Sequence, residues 1–274
     1  MKKELSKFTL RAITGILYIS VILALIIFDN KYLAISITGF ASLLSVYEYF
    51  NCVGMKRSPY MIFGVILSII TTASLIVFRE KVFVHFSSAI IFIMAISFII
   101  GILFKGKYSY KDISIAIVGY IYTIFLITFL SRIFFTSQGN IKVALLIGIV
   151  TATDTFAFLI GRKFGKHKFS EISPKKSMEG SIAGIISAVI FVLIYTFIIN
   201  KYFSFNLNYY IMILVAIGLS IISQIGDLVA SFIKRQYGIK DFGNILVGHG
   251  GILDRIDSLI FAAPFAYLII YFLM

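Results

Sequence analysis

Three aspartates, Asp154, Asp227 and Asp254, fall within or at the edge of long apolar stretches. An ionised side chain at the middle of a bilayer costs at least about 2.5–3.5 kcal/mol, so each needs a partner or a task. Asp154 stands seven residues before Gly161 and Asp227 seven before Lys234, which at 1.5 Å per helical residue puts each about 10 Å inside the end of its helix. Around Asp227, the residues Ser220, Ser223, Gln224, Ser231 and Lys234 recur at spacings of three and four, and that collects them on one face. Asp254, Asp257 and Ser258 repeat the pattern. Such a face can be interhelical glue, a reading that stays open for Ser220, Ser223 and Ser231. Glue is normally uncharged, whereas hard carboxylates beside lysines suit Mg²⁺, which takes few protein ligands and completes its shell with substrate phosphates and water. Asp227 and Asp254 are therefore the candidate metal ligands. Asp154 is open between a third ligand and a salt bridge to Arg162 or Arg255.

Two basic loops accompany these carboxylates. In Ile172-Ser173-Pro174-Lys175-Lys176-Ser177-Met178-Glu179-Gly180, Ser173 at an N-cap position and Pro174 at the first helical position predict a helix start. Lys175 and Lys176 would then oppose the helix dipole, a conflict that a bound phosphate removes; the plainer reading is a juxtamembrane basic cluster. Gly180, Ser181, Gly184 and Ala188 form a small-residue stripe expected to serve close helix packing. The second loop runs from Ser231 through Lys234-Arg235 and Lys240-Asp241 to His249-Gly250-Gly251 and Asp254-Arg255-Ile256-Asp257. Lys234, Arg235, Lys240 and Arg255 place four cations around one mouth, and the glycines on both sides of His249, Gly248 and Gly250, let backbone approach a ligand closely. His249 is a candidate for proton transfer, against the plainer reading of a structural loop histidine.

The elements that must position these groups are helices. Of the 274 residues 60% are hydrophobic and only 14% charged, with a mean hydropathy of +1.01, far from the balance of soluble domains. A span needs about 20 apolar residues, and nine stretches qualify: 12–28, 32–50, 60–78, 83–104, 113–135, 141–160, 180–200, 209–232 and 253–273. The first reads as a retained span rather than a cleaved signal, because it is longer than a signal core and runs into Asp29-Asn30-Lys31. With the N-terminus inside, only Lys31, Arg79, Lys81, Arg132, Lys142 and Lys201 of the 25 Lys and Arg fall outside, so the expectation is an all-α transmembrane bundle, N-in and C-out. The first five stretches carry almost nothing ionisable beyond Glu48, while residues 151–258 hold most of the chemically useful groups. The chain accordingly divides into 1–140, of low functional information, and 141–274, the candidate catalytic region with two cytosolic loops. A lone Cys52 excludes an intrachain disulfide. The net charge of +13 reads as loop bias and an anionic lipid or nucleotide substrate, not nucleic acid. Carboxylates toward one face, with no internal repeat, argue against a transporter.

Across Ser231 to Asp257, the Ser, Lys-Arg, Lys-Asp, Gly, His-Gly-Gly, Asp-Arg and Asp positions resemble the signature of the phosphatidate cytidylyltransferases, the CDP-diacylglycerol synthases. The upstream run Thr153-Asp154-Thr155-Phe156-Ala157, Gly161 to Lys166, Ser173 to Lys176 and Glu179-Gly180 is similar to that family's middle motif. Val247 departs from it, standing where the family usually has Pro. The resemblance implies a Mg²⁺-dependent attack of a phosphatidate oxygen on the α-phosphorus of CTP with loss of pyrophosphate, a second cation being left open. It implies metal roles for Asp227 and Asp254, catalytic roles for Lys234, Arg235, Arg255 and His249, and substrate contacts from Ser173, Lys175, Lys176, Ser223, Ser231, Lys240, Asp241, Gly250, Gly251 and Asp257. It further implies a homodimer in a bacterial plasma membrane with its active site facing the cytosol. A CTP-dependent polyprenol kinase is the alternative that the residue inventory leaves open.

Overall fold

The structure, a computed structural model, describes residues 20, 23–24, 27–28, 30–78, 86–104, 107–174, 176–203, 205–246 and 250–273. Eight helices account for most of them: α1 (Lys31–Cys52), α2 (Pro59–Phe78), α3 (Phe86–Leu103), α4 (Tyr110–Phe135), α5 (Gly139–Phe164), α6 (Met178–Tyr202), α7 (Tyr209–Gln236) and α8 (Leu253–Leu273). They follow the expected stretches from 32–50 onward, and the expected span 12–28 lies mostly outside the described residues. Among the described residues six helices, α1, α2, α4, α5, α6 and α7, are long and apolar enough to cross a membrane. Among the described residues no strand forms, only two isolated bridges.

Burial identifies the solvent these helices are built for. On α6, Ile182, Ile186, Ile190, Ile194 and Phe197 are exposed, while Gly180, Gly184, Ala188, Val192, Thr196 and Ile199 are buried. Each set follows the helical repeat. Large apolar side chains outside and small or polar ones inside reverse the soluble pattern and match a bundle packed in lipid by close approach of small residues. The chain is a helical membrane protein.

The helices fall into two units. The first comprises residues 1–139 with 241–255. Its centre holds Phe50, Tyr60 and Tyr120, all fully buried, with the Tyr120 hydroxyl donating to the Tyr60 carbonyl at 2.7 Å. α4 starts on a reciprocal capping box between Ser109 and Asp112 and carries a π-helical turn at Ile121–Phe125. The Ser42 hydroxyl of α1 donates to the Thr123 carbonyl at 2.8 Å within that turn. Wide turns of this type disturb the regular ladder, and Ser42 gives one of its carbonyls a partner.

The second unit comprises residues 140–240 with 256–274. α5 and α6 approach closely: a side chain at Gly180 would meet the Ala157 carbonyl, and one at Gly184 the Thr153 carbonyl. The expected packing role of this stripe is thus what the helices show. Thr153 donates to Ser220 at 2.9 Å, tying α5 to α7, and Ser181 donates to Gln224 at 2.6 Å, tying α6 to α7. Pro264 interrupts α8, where it removes one ladder hydrogen bond.

Candidate active site

Within the second unit three helices bring carboxylates together. Asp154 on α5, Asp227 on α7 and Asp257 on α8 interact electrostatically, with Lys176 and Lys234 as the nearby opposing charges. Lys176 forms an ion pair with Asp227, their side chains 26% and 30% exposed. The Ser258 hydroxyl donates to Asp154, so Asp154 takes that partner rather than Arg162. Beside these groups opens a cavity of about 590 Å³ lined by Asp154, Arg162, Phe158, Phe169, Lys176 and Asp227, among others. Its wall is mixed, with aromatic and aliphatic surface beside two cations and two carboxylates. Such a lining suits a ligand with an apolar body and an anionic head.

The loop between α5 and α6 corrects one expectation. No helix starts at Ser173-Pro174; α6 begins at Met178 and its N-cap is Ser177, whose hydroxyl accepts the Gly180 N–H at 3.1 Å. Instead, the Lys176 N–H donates to the Ser173 carbonyl at 3.0 Å, closing a turn with Pro174 in its second position, where Pro is equally well suited. Lys176 therefore precedes the N-cap instead of standing in the first helical turn. The loop is fastened at its base. The Phe169 N–H donates to the Lys176 carbonyl and the Met178 N–H to the His167 carbonyl, each at 2.9 Å. Glu179 accepts the Lys166 and His167 N–H groups and contacts His167 Nδ1 at 2.6 Å. Ser173 and Lys176 reach the cavity by this route; Lys175 lies outside the described residues.

The remaining expected site residues of this unit lie on α7 and just beyond its end. Ser223 is fully buried and donates to the Ser220 carbonyl of its own helix at 2.9 Å. Ser231 is half-buried, Lys234 is buried, and Lys240 is exposed. Arg235 donates to the Ile239 carbonyl at 2.9 Å, which closes the end of α7.

Asp241, Gly250, Gly251, Asp254 and Arg255 belong to the first unit, and His249 and Val247 lie outside the described residues. Asp254 Oδ2 accepts the Phe242 N–H at 2.8 Å and the Gly251 N–H at 2.9 Å. Gly250 has φ +85°, a conformation that side-chain-bearing residues rarely adopt. Spacing arguments passed over Glu48. It is 1% exposed and accepts the Ile252 and Leu253 N–H groups at 3.0 and 2.8 Å. The signal that pointed to it is its isolation, a single carboxylate in an otherwise apolar helix.

The model of the cytidylyltransferase family matches residues 9–273, nearly all of the helical region and every motif residue above. The chain belongs to the cytidylyltransferase family. Among its relatives is a phosphatidate cytidylyltransferase of Staphylococcus haemolyticus (strain JCSC1435), 40% identical over 178 residues. Proteins of the same name from Staphylococcus aureus (strain COL) and Staphylococcus epidermidis (strain ATCC 35984) are 39% and 38% identical over the same length. These matches cover 63% of this chain and 65% of each relative, so the likeness spans just under two thirds of the relatives' length. Membership of this family agrees with the resemblance carried by Ser231 to Asp257.

Could the site of this cytidylyltransferase-family chain hold a metal? Among the described residues no three His, Cys, Asp or Glu side chains form a ready cage. Mg²⁺ does not require one, since one or two carboxylates with substrate phosphates and water suffice. Asp227, whose charge is felt by Asp154 and Asp257, supplies hard oxygen donors of the kind that Mg²⁺ takes, and that donor chemistry fits.

Proposed function

We propose that the chain transfers the cytidylyl group of CTP to phosphatidate, yielding CDP-diacylglycerol and pyrophosphate in phospholipid biosynthesis. The observation that carries this reading is the Asp154, Asp227 and Asp257 cluster with Lys176, set beside a mixed apolar and cationic cavity in a chain of this family. Asp227 would hold Mg²⁺ with Asp154 nearby, and the motif resemblance rather than geometry assigns Asp254 to the metal as well. Bound Mg²⁺ supplies charge neutralisation at the phosphoryl oxygens.

The side chains account for the rest. A phosphate monoester largely ionised at neutral pH is already a competent nucleophile, so no strong base is required. Lys176 and Arg162 offer charge-assisted hydrogen bonds to the lipid phosphate and to the triphosphate, and Lys234 adds a buried positive charge nearby. As the bond from the α-phosphorus to the bridging oxygen breaks, negative charge grows on pyrophosphate, and cations fixed in advance stabilise it without reorganisation. Phe158 and Phe169 give the acyl chains an apolar surface, so that binding orients the attacking oxygen.

The excess of Lys and Arg in alternate loops supports nine spans, an N-in and C-out orientation, and an active site on the cytosolic face of the plasma membrane. A homodimer belongs to the same proposal on the resemblance alone.

The deciding measurement follows the phosphorus. With CTP labelled in the α-phosphate, label enters the lipid when phosphatidate is the acceptor, and γ-label leaves as pyrophosphate. A lipid product carrying γ-label, above all with an unphosphorylated polyprenol, would make the chain a kinase and refute the transfer.

A further inference from the structure

α8 starts without a local cap. Its first residue is Leu253, preceded by Ile252, and isoleucine offers no oxygen to the free N–H groups of a first turn. The cap comes from α1, 204 positions earlier, where Glu48 Oε1 accepts the Ile252 N–H and Oε2 the Leu253 N–H. A carboxylate at a helix N-terminus is favoured by the dipole, and its bonds to N–H groups are short and strong. Asp254 takes the Phe242 and Gly251 N–H groups of the same segment. Two carboxylates thus hold four backbone donors.

The glycines of the loop fit this arrangement. A side chain at Gly243 or Gly251 would lie under 3.0 Å from atoms of the Glu48 side chain. Glu48 fills the room those glycines leave, and the loop closes around a buried carboxylate.

We propose that Glu48 is a positioning residue, fixing the 241–255 loop and the start of α8 so that Asp254 and Arg255 are presented in one arrangement. It touches no reacting atom and acts through the backbone it holds. Its kinetic consequence rests on the reaction proposed above; its structural consequence does not. Glu48→Gln keeps the shape but turns an NH₂ group toward one of the two N–H donors, and Glu48→Asp falls a methylene short of both.

The test joins hydrogen exchange to kinetics in purified, detergent-solubilised protein. In the wild type the Ile252 and Leu253 amides are expected to be protected. In Glu48→Gln they should exchange at least tenfold faster. The kcat per folded molecule should fall at least tenfold with KM for CTP and lipid within about threefold, since a misplaced group reduces turnover more than binding; Glu48→Asp should fall further. Should Glu48→Gln not accumulate, Gly243→Ala crowds the same carboxylate from the loop side and carries the same readouts. Unprotected wild-type amides, or a folded variant with wild-type exchange, would overturn the clamp. A variant with faster exchange but wild-type kcat would reduce Glu48 to a stabilising residue and overturn the positioning role. If the wild type itself transfers no α-label to phosphatidate, the proposed reaction fails and the exchange measurement still decides the clamp.

Discussion

Breaking the ion pair between Lys176 and Asp227 one side at a time separates a strut from a working site. Exposed ion pairs are worth about 0.2–1 kcal/mol, and removing one partner of a fully buried pair costs about 3–5 kcal/mol. With side chains 26% and 30% exposed, this pair lies between those limits, and a coupling of about 1–2 kcal/mol is expected, within the range for contacting residues. The two single variants are not equivalent. Lys176→Met leaves Asp227 facing the charges of Asp154 and Asp257, whereas Asp227→Asn relieves that crowding and strands one lysine. Thermal unfolding in detergent should therefore show Lys176→Met as the more destabilised, by about 1–3 kcal/mol, with the double variant regaining about 1–2 kcal/mol of the summed loss. Activity should not follow. α-Label transfer by Asp227→Asn, Lys176→Met and the double variant should each stay below about a tenth of wild type, a loss above about 1.4 kcal/mol of transition-state stabilisation. A double variant that recovers stability and turnover together would show that the pair only braces helices. A Lys176→Met protein as stable as Asp227→Asn would refute the crowding of carboxylates.

In a Cys52→Ser background, single cysteines at 162–168 and 240–246 should be labelled by an impermeant reagent only from the cytosolic side of membrane vesicles, and labelling only from the opposite side would reverse the proposed orientation. Gly180→Ala should destabilise by about 1–3 kcal/mol, because the new methyl meets backbone of α5 and overpacking costs that much; Gly218→Ala, with nothing within 4 Å, should be neutral or stabilising by up to about 1 kcal/mol. Thermal unfolding reads both, and equal signs would contradict the packing described.

Where local pattern carries the information, the sequence was a good guide. The apolar stretches from 32–50 to 253–273 reappear as α1 to α8 because span length and hydropathy are properties of contiguous residues. Gly180 and Gly184 announced close helix packing for the same reason, and the structure supplies α5 as the partner. The start of α6 was misplaced because Pro174 suits both a first helical position and the second position of a turn; the hydrogen bond from Lys176 to Ser173 decides between them, and no local rule does. Asp154 was left between several partners, and the Ser258 hydroxyl it accepts comes from a helix a hundred residues away. Glu48 shows the limit most clearly. A cap supplied from 204 residues upstream leaves no spacing to read at Ile252, only an absence of the usual capping residues.

The π-helical turn of α4 bears on how that helix is compared with others. Such a turn accommodates one more residue than an α-helical turn would, and successive residues of an α-helix are separated by about 100°. A helical wheel drawn without interruption from Tyr110 to Phe135 therefore assigns the second half to the wrong compass bearing. Ser131, buried in that second half, meets the Thr38 hydroxyl of α1, a pairing whose register depends on the turn before it. Deleting one residue between Ile121 and Phe125 would restore the α-helical ladder and turn Ser131 away from Thr38. Relatives with a one-residue gap at this point should be aligned by facing direction, not by residue count.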